Sequence, residues 1–256
     1  MPVIHVSSFI RGDDRPPIVL VHGSGNSSLV WLPWLRELGE RGWDLHAIDL
    51  RGHGASEPVE LSEVSMGDYV EDLARVAGGL GRAPVLFGWS MGGLVVQMYA
   101  NMRTQLPAVV LFAPSPPLAV QGEGSRAEAA GIAGIVRPED YGVDINDRSG
   151  GEAMFDLSEF EVAAVRPGLG FDSGLARRER KIGIDVLPLA VPTLVVHGAR
   201  DAFFPPSVCR EVARYHHGTT IEHPNAGHWG VVASREIVKE LAPQVNEWLA
   251  GALRGR

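Results

Sequence analysis

The segment Phe87-Gly88-Trp89-Ser90-Met91-Gly92-Gly93 joins a short apolar run to a stretch with helical spacing, and this leaves the chain few ways to fold. Pro84-Val85-Leu86-Phe87 reads as a buried strand and Leu94 to Met102 as a helix. A serine at so tight a strand-to-helix turn takes strained backbone angles, and the second position on either side of it has no room for a side chain. Gly88 and Gly92 meet that demand. The hydroxyl then projects from the end of the strand, and the free N–H groups of the following helix point at whatever it attacks. In a chain with 31 glycines the same pattern also fits a plain glycine-rich turn. A base, an orienting acid and an oxyanion donor in the right order separate the two readings.

Continuous apolar runs at Ile18 to His22, Asp44 to Asp49, Val85 to Trp89 and Ala108 to Ala113 suit strands covered on both faces. Helical candidates lie between them at Leu29 to Arg41, Ser65 to Gly79 and Met91 to Arg103, so the order implies a parallel sheet with right-handed crossovers. The alternation resumes with a strand at Thr193 to His197, a helix at Pro206 to Tyr215, a strand at Thr219 to His223 and a last helix at Val231 to Leu253. Val3 to Phe9 is a candidate leading strand. Between Pro114 and Pro188 the alternation stops, and short helical candidates (Ser125 to Ile135, Ser158 to Ala164) stand among many glycines. The spacing predicts a core of residues 1–113 and 189–256 carrying a lid insertion, residues 114–188. The insertion leaves the sheet on the carboxyl edge where Ser90 emerges, the edge at which open α/β sheets bind ligands.

A chain of 256 residues, 45% hydrophobic and 21% charged, can bury one large core. Its formal net charge of -8 argues against a nucleic-acid partner, which would call for a basic patch. Met1 to Val6 lacks the basic and apolar pattern of an export signal, and no apolar run reaches transmembrane length. A cytoplasmic monomer or homodimer without a membrane partner, metal or cofactor is expected. The single cysteine, Cys209, reads as a small buried hydrophobe rather than a nucleophile.

The carboxyl ends of the predicted strands supply the candidates for chemistry. His22-Gly23-Ser24-Gly25 follows the first core strand, and the N–H groups of Ser24 and Met91 could together hold an oxyanion, each donor contributing about 2.7–4 kcal/mol. His22 itself reads as a hydrogen-bonded scaffold group. In Asp49-Leu50-Arg51-Gly52-His53-Gly54-Ala55-Ser56 the interleaved glycines predict a folded turn in which Asp49, Arg51 and His53 satisfy one another and the backbone. Asp201 and His228 lie on loops after the last two strands, placed for His228 to take the Ser90 proton while Asp201 fixes the imidazole tautomer. Asp172 and Asp185, inside the insertion, are set aside, and His197, His216, His217 and His223 are read as core or surface groups.

Four motifs occur in order: HGSG at 22–25, DLRGHGAS at 49–56, GWSMGG at 88–93, and GARD at 198–201 paired with AGHW at 226–229. On these motifs the chain resembles the α/β-hydrolase family over nearly its whole length. The resemblance implies a seven- or eight-stranded, mostly parallel sheet flanked by helices, with a small, mainly helical lid. It also implies a triad of Ser90, Asp201 and His228 and an oxyanion hole of the Ser24 and Met91 N–H groups. Serine at the elbow, where relatives that open epoxides or displace halide carry aspartate, disfavours those two reactions. Hydrolysis of a carboxylic ester is expected, with a lactone as a close variant. Carbon–carbon bond hydrolysis, acyl transfer and cofactor-free perhydrolysis would use the same groups, whereas a non-catalytic binder would have no need of them. Trp31, Trp89, Leu118, Phe203 and Trp229 are the candidate pocket residues for a small apolar or aromatic ester or lactone, and no lysine or arginine is expected to face the site.

Overall fold

Ile18-Val19-Leu20-Val21 has no polar face, so as a strand it must be covered on both sides, and all four residues are buried inside the sheet. The structure, a computed structural model, describes residues 1–12, 14–103, 105–144 and 146–254. In chain order its first half runs β1 (Val6–Phe9), β2 (Ile18–Val21), α1 (Leu32–Glu40), β3 (Leu45–Ile48), α2 (Met66–Gly79), β4 (Val85–Trp89), α3 (Met91–Asn101) and β5 (Val109–Phe112). There follow α4 (Leu118–Gln121), α5 (Arg126–Ala130), β6 (Ile135–Val136), α6 (Glu159–Val165), β7 (Asp172–Ser173) and α7 (Gly174–Ile182). The chain ends with β8 (Thr193–Gly198), α8 (Pro206–Tyr215), β9 (Thr219–His223), α9 (Gly230–Ala233) and α10 (Arg235–Arg254).

Among the described residues seven strands form one sheet in the order β1-β3-β2-β4-β5-β8-β9. All neighbours are parallel except β1, which runs antiparallel to β3 at the edge. The sheet is the expected mostly parallel one, with a leading strand that begins at Val6 rather than Val3. After β3 the chain crosses back to β4 on the other side of β2, which makes a crevice at the carboxyl ends of β2 and β4.

Each face of the sheet has its own apolar layer. On one, α1 and α10 cover Phe87 and Phe112, and the Trp34 and Trp31 rings pack edge-on to Phe112 at 4.8 and 5.3 Å between centroids. A buried phenylalanine contributes on the order of 1.5–3 kcal/mol, so this cluster anchors β4 and β5, the strands that hold the elbow. The other layer is built from α2, α3 and α8 and includes Cys209, whose thiol burial pushes up to about 12. Helix α2 starts where Ser65 and Asp68 cap each other's backbone N–H. No helix among the described residues is long and apolar enough to cross a membrane.

The stretch between β5 and β8 is not purely helical: β6 and β7 pair antiparallel through Ile135 with Ser173 and Val136 with Asp172. It docks on the sheet's carboxyl edge by backbone contact, with the Gly170 N–H donating to the Gly25 carbonyl at 2.9 Å.

Candidate active site

Ser90 has φ 54° and ψ −120°, backbone angles that cost on the order of 1–3 kcal/mol for a residue with a side chain. The surroundings hold it there. Its N–H donates to Phe112 O at 3.0 Å, and its carbonyl accepts from Gly93 N at 3.0 Å and Ser115 N at 2.9 Å. A Cβ at Gly88 would lie 2.4 Å from the Gly92 carbonyl oxygen, and one at Gly92 would lie 2.3 Å from that of His22. Gly23 is tight to a lesser degree, since a Cβ there would lie 2.9 Å from the Trp89 ring and 3.0 Å from Ser90 Cβ. The glycines thus bring the end of β2, the elbow and the first turn of α3 together.

Asp201 follows β8 and His228 follows β9, and Asp201 Oδ2 stands 2.8 Å from His228 Nδ1. The other Asp201 oxygen accepts the Phe203 and Phe204 N–H groups at 2.8 and 2.9 Å, so the carboxylate is fixed from both sides. This partner assigns the proton of a neutral imidazole to Nδ1 and leaves Nε2 to exchange a proton with a substrate or nucleophile. Trp89 Nε1 donates to the His228 carbonyl at 3.0 Å, tying the elbow to the histidine loop. The rings of Trp89, Phe203 and Phe204 lie 5.2, 4.9 and 5.6 Å from the imidazole, and Trp229 packs edge-on to Trp89 at 4.9 Å. Of the five expected pocket residues, Trp89 and Phe203 therefore pack against His228, and Trp229 stands against Trp89. Trp31 does neither: it has no exposed surface and belongs to the core beside Phe112. Leu118 begins α4 and lies over Gly183 of the insertion.

The N–H groups of Ser24 and Met91 donate to no protein acceptor among the described residues. His22 has a structural part: its Nε2 accepts the Leu50 N–H at 3.0 Å and its Nδ1 donates to the Gly23 carbonyl at 2.8 Å. Burial, then the nearby His53, pull it down to about 4, so it holds the Gly23–Ser24 loop as a neutral ring.

The turn after β3 is folded on its own backbone as expected, with His53 Nδ1 3.0 Å from the Arg51 carbonyl, but its polar side chains also reach outward instead of pairing with one another. Asp49 accepts backbone N–H groups of Ser28 and Ala55 at 2.6 and 2.9 Å. Arg51 pairs with Asp72 and Asp68 of α2. His53 Nε2 stands 3.4 Å from Asp172, a residue of the insertion that sequence reasoning set aside. Asp172 is fully buried and accepts from Tyr69 Oη at 2.8 Å, Tyr141 Oη at 3.0 Å and its neighbour Ser173 N at 2.7 Å. Burial works against its charge, but the His53 imidazole, Arg180 and Tyr69 prevail and hold the carboxyl well below the usual carboxylate range. Arg180 overturns the expectation that no cation faces the site, since its Nη2 donates to Ser24 Oγ at 2.8 Å. The basic run Arg177-Arg178-Glu179-Arg180-Lys181 in an acidic chain is the signal that could have found it.

Asp156 is the other unexpected group. Its Oδ2 accepts the N–H groups of Gly227 and Gly230, at 2.5 and 2.9 Å, on either side of His228, while Oδ1 is buried without a partner. Burial raises this carboxyl above its ordinary value. The insertion thus touches both the Ser24 loop and the His228 loop.

A family model described as the alpha/beta hydrolase family matches residues 18–240. A pimeloyl-[acyl-carrier protein] methyl ester esterase of Aeromonas hydrophila is 27% identical over 221 residues, which cover 79% of this chain and 82% of that protein. The enzyme of the same name from Pseudoalteromonas atlantica is 35% identical over a shorter stretch, 102 residues or 38% of its length. Among solved structures, a thermophilic esterase from Thermogutta terrifontis superposes with a TM-score of 0.75 at 26% identity, covering 97% of this chain and 93% of that one.

Proposed function

The chain belongs to the alpha/beta hydrolase family, and on that premise we propose that it is a serine hydrolase of carboxylic esters, lactones being a close variant. Ser90 is the nucleophile, His228 the general base and acid, and Asp201 the group that fixes the imidazole. His228 Nε2 takes the hydroxyl proton as Ser90 Oγ bonds to the ester carbonyl carbon, and the tetrahedral oxyanion lies against the Ser24 and Met91 N–H groups. Collapse expels the alcohol, which receives that proton from His228, and leaves an acyl-enzyme. Water, deprotonated by His228, then releases the acid and restores Ser90.

The 2.8 Å contact of His228 with Asp201, on the same sheet edge as a serine in strained backbone, is the observation that carries this assignment. Ester hydrolysis is further supported by the methyl ester esterase and thermophilic esterase relatives. The rings around His228 favour an apolar or aryl alcohol, because His228 protonates the leaving oxygen and that side of the ester lies beside it. Residues 114–188 are proposed as a lid over a core of residues 1–113 and 189–256.

Cleavage of p-nitrophenyl butyrate by the wild type and by Ser90→Ala tests the proposal. A loss of at least about 10³-fold in kcat is expected for the variant, and equal rates for both proteins would overturn the assignment.

A further inference from the structure

Arg180 projects from α7 with only 14% of its side chain exposed, and its hydrogen-bonding fork is incompletely met. Nη2 donates to the neutral hydroxyl of Ser24 at 2.8 Å, while the contact with Asp172 Oδ2 is long, at 3.8 Å. Asp172 turns its shorter hydrogen bonds to Tyr69, Tyr141 and Ser173, so it meets the guanidinium only at a distance. Arg180 Nε is buried with no acceptor. A guanidinium carries five N–H donors in a planar fork, and leaving one of them buried and unmet is unfavourable. The group that meets such a fork is a planar anion, above all a carboxylate.

Its position relative to the proposed chemistry follows from Ser24. The backbone nitrogen and the Oγ of a serine are about 3 Å apart, and Nη2 is 2.8 Å beyond Oγ. The guanidinium thus lies within about 6 Å of the N–H proposed to hold the oxyanion. The aromatic rings surround His228, where the alcohol leaves, so the Ser24 side is left to the acyl chain.

We propose that Arg180, with the Ser24 hydroxyl, forms an anion subsite that selects esters whose acyl chain ends in a carboxylate, the hemiesters of short dicarboxylic acids. The inference rests on the ester-hydrolase reading above and adds the substrate class to it. In such a hemiester the carboxylate takes Arg180 Nε and shares Nη2, and this places the ester carbonyl a few methylenes away beneath the Ser24 N–H.

Initial rates on monomethyl glutarate and dimethyl glutarate, measured by acid release at constant pH, provide the test. The wild type should favour the hemiester at least about tenfold in kcat/KM, mostly through KM. Arg180→Met should cut that ratio at least about tenfold, and Arg180→Lys, which keeps the charge and loses the fork, should fall between. A wild type that favours the diester, or an Arg180→Met variant that slows both esters equally, overturns the subsite and leaves Arg180 as a prop for the Ser24 loop. Should neither of these esters nor p-nitrophenyl butyrate be cleaved, the ester-hydrolase reading fails by itself. Calorimetric titration of glutarate into wild type and Arg180→Met still decides the subsite, with weaker binding by the variant supporting it and equal or absent binding overturning it.

Discussion

Lowering the pH should loosen the elbow from behind, through His216. This buried ring accepts the Leu189 N–H at Nδ1, 3.2 Å away, and meets Gln97 Oε1 with Nε2 at 2.9 Å. Gln97 Nε2 in turn donates to the carbonyls of Gly93 and Ser115, at 3.1 Å each, just beyond Ser90. Every bond in this chain suits a neutral imidazole, and a second proton at Nδ1 would face the Leu189 N–H. Burial first, and the neighbouring His217 second, bring His216 down to about 4. The unfolded chain takes up a proton near the reference value of about 6.5 while the folded chain does not, so stability is full above that value and is lost as the pH falls toward 4. At about pH 4.5 the loss from this one residue amounts to roughly 2–3 kcal/mol. Urea unfolding followed by circular dichroism at about pH 7 and about pH 4.5, on the wild type and His216→Gln, isolates it. The variant should be less stable by about 1–3 kcal/mol at the higher pH, having lost an acceptor for Leu189, and should recover roughly 2–3 kcal/mol relative to wild type at the lower. His22, also at about 4, titrates in both proteins and cancels in the comparison. An unchanged gap between the two proteins would refute the reasoning.

Two further substitutions probe the frame of the site. Asp156→Ala strands the Gly227 and Gly230 N–H groups beside His228, at a cost of about 1–3 kcal/mol each. Steady-state kinetics should show kcat falling by about tenfold or more with a smaller change in KM, and an unaltered kcat would remove Asp156 from any positioning role. Gly92→Ala drives a methyl group into the His22 and Val21 carbonyls, 2.3 and 2.4 Å away, neither of which is a side chain that can turn aside. Its thermal midpoint should drop by an amount equivalent to about 1–3 kcal/mol or more, and esterase activity by roughly a hundredfold as the elbow shifts.

The central strands were legible because β2, β4 and β5 are short, apolar and covered on both faces, which leaves them no polar residue to mislead. The elbow was legible because its glycines are forced by backbone contacts within a few residues of Ser90 or with the end of β2. Asp201 and His228 could be chosen because each stands on a loop just after a recognisable strand. The insertion offered no such guide. Asp172, Asp156 and Arg180 take their partners 103, 71 and 156 residues away, and none of these contacts leaves a periodic trace in the chain. The two-residue strands β6 and β7 are too short for an alternation to register. Trp31, named as a pocket candidate, packs edge-on to Phe112 and is claimed by the core, a long-range contact that its place in the chain does not reveal.

The order of the sheet also acts as a clock. Ser90 is carried by β4, near the middle of the sheet and made early, whereas Asp201 and His228 follow β8 and β9, the strands laid down last along one edge. A chain still on the ribosome, on the proposed assignment, carries a serine with neither base nor acid beside it, even after β1 to β5 have been made. Reactivity switches on only when β8 and β9 dock, so the nascent protein is kept from attacking esters until its core is nearly closed.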